Sequence, residues 1–308
     1  MNRIETIILI LFAFFILCVI MNRMNNPFIV EVNKLNPIRN LRIFTYIEMP
    51  KDYNLEKKIQ LLSKNDSIPL FLNLCLKIME KKIDGINTDL VVLTPNNYLN
   101  YVDDFPICMN ANSEFPLKFR VELLSSYVLE KYGGLFLSPG TVVKDFSDIL
   151  NKINHYDLVT FGGSPHIINS CSNPKFPNSY ILGSQNKNTM IKQYKKRMLD
   201  VVLNKRNIAS ENIGSSILSE ILHEYDCNQY HYSCDNDGTL DINKKLITIE
   251  DYLGYEEINY KNEKKLKLIS LPYQEILTNS NYKWYCNLSK EQFYQSKIFL
   301  NRKLLSLL

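Results

Sequence analysis

Apolar residues follow two periods along this chain. Short apolar runs read as strands: Leu41-Arg42-Ile43-Phe44-Thr45-Tyr46-Ile47, Asp89-Leu90-Val91-Val92-Leu93, Leu135-Phe136-Leu137, Asp157-Leu158-Val159-Thr160-Phe161 and Tyr180-Ile181-Leu182-Gly183. Between them apolar residues recur at helical spacing, as at Phe71, Leu74, Cys75 and Ile78, and again at Leu117, Val121, Leu124 and Val128. Ser67 can cap the first of these helices, with Pro69 in its first turn. Pro116 suits the first turn of the second, and Lys131 its last turn, where a cation suits the helix dipole. Asn97 to Asp103 reads as a short helix, Asp145-Phe146-Ser147-Asp148 as the start of another, and residues 188–203 and 213–225 as two more. This strand–helix rhythm predicts an α/β fold, a mostly parallel sheet with helices on both faces. Later in the chain, Ser233 to Thr239 fits a hairpin turn and Leu246-Ile247-Thr248-Ile249 a strand. Ser289 and Gln292 form a capping box that opens an apolar helix carrying Phe293, Ile298, Phe299, Leu300 and Leu304.

One stretch carries more than periodicity. Tyr132-Gly133-Gly134 follows the second helix, and either glycine can adopt the left-handed conformation that ends one. Leu135-Phe136-Leu137 is fully apolar, as a strand buried on both faces is. Pro139-Gly140 then breaks it. Ligands of open α/β sheets bind beyond the carboxyl ends of strands, so the turn Ser138-Pro139-Gly140 is the place to look for one.

The same stretch resembles the sugar-binding region of glycosyltransferases with a DXD motif, the group of the yeast-type initiating mannosyltransferases and capsular polysaccharide synthesis proteins. Their pattern is Ala/Ser-Asp-x-x-Arg, then Tyr-Gly-Gly-Ile-Tyr/Trp-Leu-Asp-x-Asp. Tyr132-Gly133-Gly134-Leu135-Phe136-Leu137 matches the second block, while Glu122 stands for the first aspartate, Ser125 for the arginine and Ser138-Pro139-Gly140 for Asp-x-Asp. The resemblance implies a GT-A-like (Rossmann-like) domain over residues 41–308. It further implies a nucleotide-sugar donor and a glycan, protein or polysaccharide acceptor. The donor-binding residues it implies are Thr45 and Tyr46 at the end of the first strand, Lys118, Glu122, Tyr132, Gly133, Gly134, Ser138, Gly140 and Thr141. A divalent cation (Mn or Mg) would ordinarily clamp the diphosphate. With no carboxylate at Ser138 or Gly140, either Glu122, Asp145 or Asp157 holds an ion, or cationic groups such as Lys118 and Arg120 replace it, or the site is inactive and the chain a glycan-binding or scaffolding relative. Gly162-Gly163-Ser164-Pro165-His166 forms a loop at a strand's carboxyl end, where Gly162, Gly163 and His166 could approach the acceptor or the diphosphate. Gly214-Ser215-Ser216 opens a helix whose amides could hold phosphate.

The amino-terminal segment changes the picture of location. Thr6 to Met21 is strongly apolar, slightly short of the ~20 residues of a membrane span, and no small-x-small cleavage site follows it. This favours an uncleaved transmembrane anchor at 1–21, holding the membrane through residues 7–21, over a cleavable signal peptide. Residues 22–40 read as a polar stem. Arg3 and Arg23 nearly balance, so it is the resemblance that implies a type II single-pass protein of a Golgi/ER-like or host/viral membrane. Asn65-Asp66-Ser67 and Asn287-Leu288-Ser289 are candidate glycosylation sites.

Composition narrows the chemistry. A 308-residue chain that is 45% apolar can bury a large core. A net charge of +4 is weak for this length, and no dense basic run interleaved with aromatics points to nucleic acid. Of seven cysteines none form Cys-x-x-Cys, and Cys75 fits a buried free thiol. The four histidines lack metal-ligand spacing. Without Gly-x-Gly-x-x-Gly, a Walker loop or Gly-x-Ser-x-Gly, dinucleotide, P-loop and hydrolase readings lose support.

Overall fold

A computed structural model describes residues 41–48, 68–109, 113–162, 177–204, 212–233 and 238–308. The expected anchor, the stem, Asn65, Ser67, Gly163 and His166 lie outside the described residues. Among the described residues no helix is long and apolar enough to cross a membrane.

The first half alternates strand and helix as its periodicity predicts: β1 (Arg42–Tyr46), α1 (Leu70–Ile83), β2 (Asp89–Leu93), α2 (Leu117–Tyr132) and β3 (Gly134–Leu137). Pro116 does not enter α2. It precedes the helix in extended geometry, as Pro69 does for α1, because its ring fixes φ while ψ stays open. A 3-10 turn, Tyr98–Asn100, stands for the short helix expected there. Then come β4 (Thr141–Val143), α3 (Phe146–His155), β5 (Leu158–Phe161), β6 (Ile181–Ser184), α4 (Thr189–Leu203), α5 (Ile213–Glu224) and β7 (Tyr230–Ser233). Asp145 caps α3 through Ser147 N and Asn188 caps α4 through Met190 N, which satisfies amides that the helices themselves leave orphaned.

Among the described residues the main sheet has the order β2-β1-β3-β6-β5-β7. β1 is parallel to β2 and β3, and β5 to β7. The sheet is mostly parallel, as expected, and the exception is β6, which runs antiparallel to both β3 and β5. The cause is local. Asn178 N donates to the Phe161 carbonyl at 3.0 Å, so the chain re-enters the sheet at the edge where β5 left it. Side chains alternate between two cores. Ile43, Leu135 and Leu137 pack with α1 and α3, whereas Phe44, Tyr46 and Phe136 pack with α2, α4 and α5. Cys75 is a buried free thiol in the first of these, as its apolar surroundings predict.

The second half departs further from its sequence pattern. The chain continues with α6 (Ile249–Leu253), β8 (Leu268–Ser270), α7 (Tyr273–Thr278), α8 (Lys283–Cys286), α9 (Lys290–Gln295) and α10 (Phe299–Leu307). Where a strand was expected at 246–249, Thr248 instead forms a capping box with Asp251 and starts α6. β7 occupies residues up to the expected hairpin turn, and β4 pairs antiparallel with β8 in a second, small sheet. The helix expected from Ser289 onward is two helices. Ser289 and Gln292 do form the capping box, but the chain turns extended at Ser296. Buried Asn301 fixes the break. Its amide donates to Phe293 O at 3.0 Å and to Ser296 Oγ at 2.6 Å, and its carbonyl accepts from the Tyr285 hydroxyl at 2.6 Å.

The join between α2 and β3 needs both glycines. Gly133 has φ 67° and Gly134 φ 104°, in the region that favours glycine. A Cβ on Gly133 would lie 2.5 Å from Asn186 N, and one on Gly134 would overlap the Arg42 carbonyl oxygen on neighbouring β1. Gly134→Val combines a β-branched side chain at positive φ with a backbone overlap, so it is expected to cost at least about 4 kcal/mol. Urea denaturation of the purified variant reads this loss, and an unchanged midpoint would show that the two strands can separate to admit a side chain.

Candidate functional site

The chain leaves β1 toward β2 on one side and returns to form β3 on the other. The winding reverses at the carboxyl end of β1, the position at which open α/β sheets form a ligand crevice. A cleft of 1320 Å³ opens there. Tyr46, Ile47 and Glu48 at the end of β1 line it, together with Pro116, Leu117, Lys118 and Phe119 at the start of α2 and Glu122 one turn on. Pro139 and Ile213 add to that wall. Opposite stand Ile68, Pro69 and Leu72 of the α1 entry and, from the carboxyl-terminal part, Tyr273, Gln274, Glu275, Thr278, Asn279 and Lys283.

Glu122 is the most constrained group of this wall. It is 1% exposed. The Ser179 hydroxyl donates to its Oε1 at 2.5 Å, and the Gly214 amide donates to it as well. Gly214 lies in the first turn of α5, where a negative side chain suits the helix dipole. A Cβ at Gly214 would come within 2.5 Å of the carboxyl carbon, so only glycine lets α5 approach. Ser215 Oγ lies 3.2 Å from Ser179 Oγ and continues the network. Burial pushes the Glu122 carboxyl above the usual glutamate range, and the Lys118 charge and the two hydrogen bonds pull the other way. Its charge adds to the burial that lifts the Tyr180 and Tyr194 hydroxyls. Lys118 Nζ donates to Asn212 Oδ1 at 3.2 Å and stands 5.5 Å above the Tyr180 ring.

Of the donor-binding residues expected from the sequence, Tyr46, Lys118 and Glu122 line the cleft, with Gly214 and Ser215 beside Glu122, and the others do not line it. The Tyr46 hydroxyl donates to Met109 O at 3.3 Å, and burial holds it protonated. Thr45 is buried in the sheet without lining the cleft. Tyr132, Gly133 and Gly134 lie at the amino ends of β1 and β3, beside Arg42, because α2 runs against the strands and its end is therefore remote from its beginning. They shape the sheet and do not touch the cleft. In the turn after β3, Thr141 N donates to Ser138 O at 3.1 Å, and the Ser138 and Thr141 hydroxyls bond each other at 3.2 Å. Gly140 packs against Tyr273, and only Pro139 of this turn faces the cleft. Gly162 N donates to Ser233 O at 2.8 Å and serves as a sheet edge.

The donor set at this turn does not fit a divalent cation. Its two hydroxyls are committed to each other, and a hard cation favours carboxylates. The substitutes are dispersed. Asp145 caps α3 and pairs with Lys267, Asp157 accepts from Asn188 Nδ2 at 2.9 Å, and Glu122 holds α5. Among the described residues no group of three or more His, Cys, Asp or Glu side chains could hold a metal ion.

Sequence reasoning missed Glu48 and the whole wall from Tyr273 to Lys283. Pro272 followed by Glu275 is a helix-start signal that could have placed α7. Nothing in that spacing says that α7 faces β1.

Glu122 gives stability a definite pH dependence. The folded carboxyl keeps its proton to higher pH than the unfolded chain, whose glutamate titrates near 4.5. The protonated group therefore favours folding below that value, and the contribution is lost as pH rises through the raised folded value. Glu122→Gln is expected to flatten this fall. Urea midpoints of both proteins between about pH 4 and 8 test it, and parallel curves would assign the proton elsewhere.

Neither a protein-family model nor a curated protein matches the sequence. Among solved structures the chain is similar to the glycosyltransferase GlyE of Streptococcus pneumoniae TIGR4, with 13% identity and a TM-score of 0.43 over 87% of this chain and 63% of that one. It thus spans less than two thirds of the GlyE chain. It is also similar to the PaToxG glycosyltransferase (10% identity, TM-score 0.33, 87% of each chain). A third likeness is to the galactosyltransferase LgtC in complex with donor and acceptor sugar analogs (9% identity, TM-score 0.34, 87% of this chain and 95% of that one).

Proposed function

We propose that this chain is a glycosyltransferase of GT-A-like fold, taking a nucleotide-sugar donor in the cleft and passing the sugar to a glycan, protein or polysaccharide acceptor. The observation that carries the reading is the place of the cleft, at the reversal of winding beyond β1, with Lys118 and the first turn of α2 on its wall. Helix-start amides and a lysine suit a diphosphate. The motif resemblance at Tyr132 to Leu137 supports the fold part of this reading and not the chemistry, since Tyr132, Gly133 and Gly134 sit at the far edge of the sheet and Leu135, Phe136 and Leu137 are buried within it.

In this reading the leaving diphosphate is met by Lys118 and backbone amides, without a carboxylate-held ion. Calorimetric titration of UDP and GDP into the detergent-solubilised full chain is expected to give affinities in EDTA within about threefold of those in millimolar manganese. Lys118→Ala is expected to weaken binding about tenfold, or ~1.4 kcal/mol, the worth of one charge-assisted hydrogen bond. Binding seen only with manganese would mean that carboxylates outside the turn hold an ion. The second reading, a glycan-binding or scaffolding relative without activity, draws on Ser138-Pro139-Gly140 in the place of Asp-x-Asp. It becomes the better one if no nucleoside diphosphate binds in either condition.

We also propose that residues 1–21 anchor the protein as a type II single-pass membrane protein, on the strength of the uncharged run from Thr6 to Met21. The expressed protein should stay with the membrane pellet through alkaline carbonate extraction, and full release would remove the anchor.

A further inference from the structure

Three polar side chains run in series beside the cleft. The Tyr180 hydroxyl donates to Gln274 Oε1 at 3.0 Å, and Gln274 Nε2 donates to the Tyr273 hydroxyl oxygen at 3.3 Å. Tyr273 and Gln274 line the cleft at the start of α7. Tyr180 immediately precedes β6, and Lys118 Nζ stands 5.5 Å above its ring. Lys118 lines the cleft from the facing wall. The series therefore begins beneath the cation of one wall and ends on the other.

The order of these bonds fixes the place of a proton. A carboxamide has an acceptor at one end and donors at the other. With the Gln274 oxygen turned to Tyr180, its nitrogen faces Tyr273, so the Tyr273 oxygen must accept. A phenol has one proton, and that of Tyr273 is left for a different acceptor. Among the described residues none takes it. Burial, opposed by the hydrogen bond from Gln274 and aided by the Glu48 charge, holds this hydroxyl protonated. The Glu48 charge is itself offset by Arg120, 3.7 Å away. Tyr273 is only 7% exposed. A donor so buried is costly to leave unmatched. Because Tyr273 forms part of the cleft lining, the cleft is the side from which an acceptor arrives. A hydroxyl that already accepts a hydrogen bond is also polarised into a better donor.

We propose that Tyr273 is a ligand-binding residue of the cleft, its hydroxyl donating to a phosphate oxygen of a bound nucleoside diphosphate, and that Gln274 and Tyr180 are positioning residues that aim it. This rests on the reading of the cleft as a nucleotide-sugar site, and it gives the wall opposite Lys118 a neutral donor. A phosphate oxygen is the strongest acceptor for such a hydroxyl, since hydrogen bonds to an oxyanion are shorter and stronger than those between neutral groups. No covalent step is involved, and the proton stays on Tyr273.

Calorimetric titrations of UDP and of inorganic pyrophosphate into the detergent-solubilised full chain test this. The proteins are wild type, Tyr273→Phe, Tyr180→Phe, Gln274→Met and the double variants with Tyr273→Phe, with melting curves to verify folding. Tyr273→Phe is expected to weaken both ligands about tenfold, as loss of a hydrogen bond to a charged group does. Tyr180→Phe and Gln274→Met are each expected to weaken them about threefold, and to bring no further loss once the Tyr273 hydroxyl is gone. Should Tyr273→Phe not fold, Tyr180→Phe and Gln274→Met carry the test, and their double variant should bind no more weakly than either alone. Unchanged affinity in Tyr273→Phe, or in the two substitutes, would overturn the proposal. So would equal losses from Gln274→Met with and without the Tyr273 hydroxyl, because the amide would then act only on the shape of the wall. If wild type binds UDP under any of those results, the nucleotide reading survives alone. If pyrophosphate binding depends on Tyr273 while UDP binds no better than pyrophosphate, the proposed donor stands for phosphate and the nucleotide reading falls. No binding of either ligand to wild type overturns both.

Discussion

The contact between Gly134 and the Arg42 carbonyl is the constraint on which the rest of the architecture depends. It lets β3 lie against β1 directly after α2, with only Gly133 between helix and strand. Because β3 then runs parallel to β1, the carboxyl ends of both strands reach the same edge of the sheet. α2, running the other way, delivers its first turn to that edge. The cleft is a consequence of these two directions. A side chain at the join would push the strands apart at one end and tilt them at the other, so residues that never touch a ligand govern where the ligand space lies.

A second constraint works from within the wall. Glu122 ties three pieces that are distant in sequence: α2, the Ser179 turn before β6 and the start of α5. In an exposed position such a carboxylate would be a modest helix cap. Buried, it becomes expensive to leave unpaired, and the hydroxyls and amide around it are what make its burial tolerable. The same burial that raises its proton affinity makes it a rigid part of the cleft wall, and a rigid wall is a precondition of selective binding.

The first half of the chain was legible because its elements are local. β1, α1, β2, α2, β3, α3, β5, α4 and α5 follow from apolar period and caps, and each lies within a few residues of its expected bounds. What depended on long-range pairing was not legible. β6 has the apolar run of any buried strand, and its direction is visible in its pairing with β3 and β5. β7, with the sequence Tyr-His-Tyr-Ser, has no alternation to read, and β4 is a strand because Leu268–Ser270 comes to pair with it. The Thr248 cap overrode an apolar run that looked like a strand. Of the candidate site residues, Tyr46 at the end of β1 and Lys118 and Glu122 at the start of α2 line the cleft, whereas Tyr132, Gly133 and Gly134 lie at the other end of the sheet. Sequence matching assigns residues to a pattern without saying which end of the sheet each occupies. Glu48 and the α7 wall carry no local signal of function, because their role comes from where the fold puts them.

The small sheet formed by β4 and β8 has a consequence for how this molecule comes into being. Thr141 and Ser270 are paired neighbours in space and far apart in the order of synthesis. The α2 side of the cleft belongs to the α/β part built on the main sheet, which can begin to fold early, while the facing wall from Tyr273 to Lys283 leaves the ribosome only after everything between has emerged. Until then Lys118 faces open water instead of a second wall. A nascent chain thus carries the scaffold of its pocket well before it carries the pocket, and β8 docking onto β4 is the event that turns a folded sheet into a molecule able to enclose a ligand.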